Sequence, residues 1–267
     1  MIDFSQIFIP IFGFLIGLLV STLGGGGGGL YVPVLTLVFG IPTQVAVATS
    51  LASVLPTTAV GAFSHYREGN VDLRIGIILG AGGVAGTLIG AYLANLIPSD
   101  MLRRFLGVFM LLMMIPMLRS FIKRHKNQEE EVKKETSSKN DPVVLTRPRQ
   151  FLASLFGVAS GLLAGIFGIS GTPPVSAGLY SLGLPAMTVV GTTVFVLIFN
   201  SLTGIGGYFL LGRLDITLII LLAGGAAVGA FIGPKLLKKI NPQTFEKIYV
   251  PVILTISLVM GLAMILA

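Results

Sequence analysis

Long apolar stretches, separated by short breaks of glycine, proline and polar residues, run along nearly the whole chain. They fall at about 7–23, 30–40, 43–64, 71–97 and 101–121, and again at about 150–167, 173–183, 186–211, 214–237 and 244–266. Most approach the ~20 apolar residues that cross a hydrocarbon core of about 30 Å. The pattern predicts an all-α polytopic membrane protein built from helical segments. The second segment of each set, on the order of 10 residues, is too short to cross alone. It can complete a broken span, form one arm of a re-entrant hairpin, or cross where the site is thin or wet.

The two sets are copies of one unit. "FGFLIGLLVSTLGGGG" at 12–27 aligns with "FGVASGLLAGIFGISG" at 156–171, and "FGIPTQVAVATS" at 39–50 with "LGLPAMTVVGTT" at 182–193. "GNVD" at 69–72 falls on "GRLD" at 212–215, and "LGAGGVAGTLIGAYL" at 79–93 on "LAGGAAVGAFIGPKL" at 222–236. Residues 1–121 are thus a first transmembrane repeat of about five segments and 150–267 a second. Residues 122–149, polar and of mixed charge, form a linker that composition predicts to be disordered at its centre.

Composition agrees with the pattern: 54% hydrophobic, 11% charged and a mean hydropathy of +0.92, where a soluble domain carries about a quarter charged residues. The N-terminal stretch lacks a basic region and a small-residue cleavage site, so it reads as a first span rather than a removed leader. With no cysteine, thiol chemistry and disulfides are excluded. No metal site or cofactor is expected, and the net charge of +7 does not call for nucleic acid, because basic residues in membrane proteins mark cytoplasmic loops. With an odd number of crossings per repeat and the linker inside, 15 Lys and Arg lie inside (Arg67, Arg74, nine from Arg119 to Arg149, Lys235, Lys238, Lys239, Lys247) and three outside (Arg103, Arg104, Arg213). An even number moves Arg213 in and the four lysines out, giving 12 and 6. The odd count, with inverted halves, fits the positive-inside rule better. Inverted repeats with broken helices at matching places are the pattern of secondary transporters, whose sites lie where the breaks meet.

Six glycines, Gly24 to Gly29, precede the first short segment. Irregular backbone at membrane depth must face protein or a wet cavity. The peptide N–H groups of Gly25, Gly26, Gly27, Gly28 and Gly29, with the helix N-terminus that follows, can then bind an anion without a basic side chain. The bland alternative is close helix packing, which is the better reading for "AGGVAG" and "AGGAAVGA" but not for six glycines beside a short segment. The matching "GISGTPP" keeps Gly171 and adds the hydroxyls of Ser170 and Thr172. Thr49 and Ser50, and their mates Thr192 and Thr193, offer further hydroxyls, unless each only bonds back to its own helix. Asn200, alone of its kind deep in an apolar segment, is interhelical glue or a ligand.

No acidic or basic residue lies in the centre of any apolar segment. A buried carboxylate relay or an Asp-ligated sodium site is therefore not expected, and a neutral or anionic solute fits better than a cation. His65, Tyr66 and Arg67 end the third segment, with Tyr208 in the matching place; they are candidates for gating or coupling, or interfacial anchors.

The glycine run followed by "VPVL" (32–35), "GIP" (40–42) and "AVATS" (46–50), with the degenerate copy "GISG", "GLP" and "VVGTT", resembles the TauE/SafE family of sulfite exporters, also called the toluene sulfonate uptake permease family. The resemblance covers nearly the whole chain except the linker. It implies a multi-pass transporter in a prokaryotic cytoplasmic membrane, moving sulfite, sulfonates or sulfoacetate by alternating access, with protons as a candidate coupling partner. By position it adds Pro33 to the substrate-facing set. The chain departs from the family in its second copy, where "SGTPP" replaces a glycine-rich run. The alternatives are another small anion or a neutral solute. "GISG" also matches the G-x-S-G motif of rhomboid intramembrane proteases, but no histidine follows Ser170 to act as base. A noncatalytic assembly protein would not need matching helix breaks.

Overall fold

A computed structural model describes residues 7–21, 28–126, 147–169, 171–237 and 242–266. Among these there is no strand. The helices are α1 (Ile9–Ser21), α2 (Gly28–Leu37), α3 (Thr43–Arg67), α4 (Leu73–Leu96) and α5 (Ser99–Lys126), then α6 (Arg147–Phe167), α7 (Thr172–Ser181), α8 (Ala186–Leu210), α9 (Ile216–Leu237) and α10 (Pro242–Leu266). Five of them, α3, α4, α6, α8 and α9, are long and apolar enough to cross a membrane. Helix α5 runs past the expected end at 121, and α6 begins at Arg147, so helix covers both ends of the segment read as linker. The centre of that segment lies outside the described residues.

Helix α1 has 13 described residues, about 20 Å at 1.5 Å per residue. The Phe12 ring, one turn into α1, packs edge-on against Phe39, just past the end of α2, at 5.6 Å between centroids. The two helices therefore form an antiparallel hairpin. Helices α6 and α7 do the same: a Cβ on Gly178, midway along α7, would lie 2.7 Å from the Phe156 ring of α6. In both halves the short helix thus folds back along the helix before it. Cap chemistry sets the turns beyond. Gly40 and Gly183 end α2 and α7 in left-handed conformation, as do Gly69 and Gly212 for α3 and α8. Asn70 N–H closes onto His65 C=O at 2.8 Å, and Arg213 N–H onto Tyr208 C=O at 2.9 Å.

Each hairpin packs along a long helix of the other half. Helix α1 lies parallel to α9, and α6 parallel to α4. Glycines four residues apart make the contact. On α4 these are Gly82, Gly86 and Gly90; on α6 they are Gly157, Gly161 and Gly165. A Cβ on Gly161 would lie 2.7 Å from Thr87 N, and one on Gly90 3.1 Å from Gly165 Cα. Gly13, Gly17, Gly225 and Gly229 repeat the arrangement in α1 and α9. Absent side chains let the backbones touch, and in lipid that dispersion gain replaces the missing hydrophobic drive. The packing reading of "AGGVAG" and "AGGAAVGA" thus holds at Gly82, Gly86, Gly225 and Gly229.

At the centre, α3 and α8 cross antiparallel, with Gly61 against Val194 and Gly204 against Leu51. Helices α5 and α10 pair at the periphery. The outward faces expose Val60, Phe151, Ile220 and Phe231, as contact with acyl chains requires.

Candidate functional site

The two hairpin tips meet inside the bundle. A Cβ on Gly29 would sit 3.8 Å from Ile169 Cγ2, and one on Gly168 would sit 2.9 Å from Val32 Cγ2 and 3.2 Å from Val47 Cα. Gly168 and Gly171 have φ of +69° and +75°, a region costly for residues bearing a Cβ. That geometry turns the chain from α6 into α7. Gly25, Gly26, Gly27 and Ser170 lie outside the described residues.

The helix ends at the tips differ in what they can donate. Helix α2 opens on Gly28, Gly29, Leu30 and Tyr31, all with N–H groups that lack a partner within the helix. Pro33 sits inside this helix; having no N–H, it leaves Gly29 C=O without its helical partner. Helix α7 opens on Thr172, Pro173, Pro174 and Val175, so only two of its first four residues can donate. No charged side chain occurs in 28–37, 43–55 or 168–181. What these tips can do chemically is hold a small anion by amide dipoles and hydroxyls.

Ser50 belongs to this place. It is fully buried on α3, and its Oγ–H donates to Gly168 C=O at 3.0 Å. Thr172, next to Gly171 in sequence, has a buried hydroxyl without a hydrogen bond. Thr49, its neighbour, donates back to Val45 C=O at 2.8 Å, the local use open to such residues.

The other candidates lie elsewhere. On the antiparallel α3–α8 pair, Leu51 meets Gly204 and Gly61 meets Val194. Thr193 is therefore level with about residue 62 of α3, about 18 Å along the axis from Ser50. Its hydroxyl is 2% exposed and has no partner. Thr192 accepts a hydrogen bond from Asp72 N–H at 2.9 Å and so holds the α3–α4 loop; Asp72 in turn caps α4 by accepting from Ile75 N–H at 2.9 Å. Thr192→Val should cost about 1 kcal/mol, read as a melting-temperature drop of about 2–4 °C.

Asn200 Nδ2 donates to Ser160 Oγ at 2.9 Å, joining α8 to α6 beside Gly83. Tyr208, fully buried, donates its hydroxyl to Gly165 C=O at 2.7 Å. His65 packs its Cβ against Gly191, and its Nδ1 is buried without a partner. Tyr66 is 56% exposed, and Arg67 lies over the Phe63 ring at 5.8 Å. This group ends α3 roughly 22 Å from Ser50. The structure thus gathers Gly29, Pro33, Ser50, Gly171 and Thr172 around the tips and leaves Thr192, His65, Tyr66 and Arg67 apart from them. Sequence reasoning missed Ser160 as the partner of Asn200 and the tie that Tyr208 makes to α6. The four-residue glycine spacing of "FGVASGLLAG" was the available signal for the α6 contact.

Comparison with protein families matches residues 9–260 to the family described as Sulfite exporter TauE/SafE. Among curated proteins, the probable membrane transporter protein YdhB of Bacillus subtilis is 36% identical over 224 residues, covering 83% of this chain and 86% of its own. A probable membrane transporter protein of Methanocaldococcus jannaschii is 28% identical over 249 residues, covering 87% and 86%. The sulfite exporter TauE/SafE family protein 3 of Arabidopsis thaliana is 26% identical over 85 residues, covering 32% of this chain and 18% of its own. No solved structure matches.

Proposed function

The chain belongs to the sulfite exporter TauE/SafE family of membrane transporters, and from that premise we propose that it moves a small sulfur-containing anion across a prokaryotic cytoplasmic membrane. The observation that carries this reading is the meeting of two hairpin tips in an interior free of charged side chains, with amide donors concentrated at the start of α2. Fixed dipoles suit an anion that must enter and leave, because they attract it without the deep well of a buried cationic partner.

An odd number of crossings in each half would make the halves inverted, with the central linker and most basic residues cytoplasmic. The packing is consistent with an exchange of halves: α1–α9 corresponds to α6–α4, and α4–α8 to α9–α3. Transport would proceed by alternating access around the tips. A weak acid such as bisulfite can bring its own proton, so coupling to protons needs no buried carboxylate.

The test is uptake of sulfite, sulfate, sulfoacetate and taurine into proteoliposomes, with and without a pH gradient. Saturable flux of one sulfur anion, reduced at least tenfold in Ser50→Ala, is the expected result. Flux of an unrelated anion or neutral solute would keep the transporter and discard the substrate class. Absence of flux for every solute in folded protein would overturn the proposal.

A further inference from the structure

Two glycines stand at the ends of one buried polar pair. Asn200 of α8 donates from Nδ2 to Ser160 Oγ of α6 at 2.9 Å, and both residues are fully buried. A Cβ on Gly83 of α4 would strike Asn200 Oδ1. A Cβ on Gly171 would strike Ser160 C=O and Oγ, and would lie 2.8 Å from the Ser160 carbonyl carbon. The missing side chains thus let α4 close on the Asn200 amide and the start of α7 close on Ser160. Gly83, Asn200, Ser160 and Gly171 form one column, from the junction of α4, α6 and α8 to the second tip.

A glycine seam does not need this pair in order to close. The α1–α9 seam is built the same way, on Gly13, Gly17, Gly225 and Gly229. In the alignment of the halves, Ser160 corresponds to Ile16, Asn200 to Thr57 and Gly83 to Ala226. Isoleucine has no polar atom, so that seam closes without an amide–hydroxyl bond at this place. A buried hydrogen bond adds little net stability, but it fixes direction and distance. What this one fixes is the oxygen against which Gly171 rests. Gly171, at φ +75°, caps α7, and Thr172 follows with an N–H and a hydroxyl. Pro173 and Pro174 come next and have no N–H. Donation from the start of α7 therefore begins at the residue that Gly171 places.

We propose that Ser160, oriented by Asn200, is the positioning residue of the second tip: it sets where Gly171 and Thr172 stand, and through them how that tip meets the solute. The proposal rests on the tips forming the transport site. Neither side chain need touch the solute, because a site that works by placement loses function with displacements of about 1 Å.

Two readouts on the full chain test this, the first without solute. Hydrogen–deuterium exchange in lipid nanodiscs compares residues 171–181 in the wild type, Ser160→Ala, Asn200→Ala and the double variant. Each single change is expected to raise exchange there several-fold, with α9 unchanged. The double variant is expected to do no more than the larger single change, because both act through one bond. The second readout is sulfite flux into proteoliposomes. Ser160→Ala is expected to raise KM roughly fivefold with the maximal rate within about twofold of wild type, whereas a loss of folded protein lowers the maximal rate at unchanged KM. Unchanged exchange in either single variant, or effects that multiply in the double, would overturn the proposal. So would a lowered maximal rate at unchanged KM. If the double variant does not fold, the single variants decide alone, since both must loosen the same residues. A wild type without sulfite flux counts against the solute proposed above, and the exchange measurements then decide the positioning role by themselves.

Discussion

Replacing Gly225 by alanine should lower the melting temperature sharply, whereas the same change at its neighbour Gly224 should not. A Cβ on Gly225 would lie 2.8 Å from the carbonyl carbon of Pro10 and 3.0 Å from Phe14 N. Both are backbone atoms of α1 and cannot rotate aside. The helices must move apart, and dispersion is lost along the whole α1–α9 seam. Overpacking of this kind costs about 3 kcal/mol, or about 6–12 °C at 2–4 °C per kcal/mol. A Cβ on Gly224 meets nothing within 4 Å, and alanine is the better helix former by about 0.5–1 kcal/mol. Thermal unfolding of the two variants in one detergent reads the difference. Equal melting temperatures would show that the seam does not depend on backbone contact.

Replacing Gly168 by alanine should abolish most of the flux while leaving the protein folded. Its φ of +69° costs an alanine about 1–2 kcal/mol. The added Cβ would also lie 2.9 Å from Val32 Cγ2 and 3.2 Å from Val47 Cα. Val32 can turn its side chain, but Val47 presents backbone, so the tip has to shift. That shift carries Gly168 C=O away from Ser50 Oγ–H, now at 3.0 Å, and changes how the tips meet. A site that depends on placement loses rate steeply with displacements of about 1 Å, so a fall of tenfold or more in proteoliposome flux is expected. Unchanged flux in this variant would remove the second tip from the pathway.

Much of this protein is legible in the chain itself. Apolar runs near the length of a bilayer core, the internal repeat and the glycine and proline breaks are local properties, and the helices begin and end close to where those breaks fall. The family signature at "VPVL", "GIP" and "AVATS" is local too. Partnership is not. In a chain apolar on every face, periodicity does not say which helix a given face meets, so nothing in residues 9–21 announced that α1 would lie on α9 of the other half. The short segments left three roles open, and only Phe12 against Phe39 and Phe156 against Gly178 show that each folds back along the helix before it. Hydroxyls at equivalent positions looked alike, yet Ser50 reaches a tip, Thr192 holds a loop and Thr193 is left unpaired, about 18 Å from Ser50. Sequence determined where the helices break and that the breaks match; tertiary packing decided which breaks meet and which side chains reach them, because those depend on directions and distances between segments far apart in the chain.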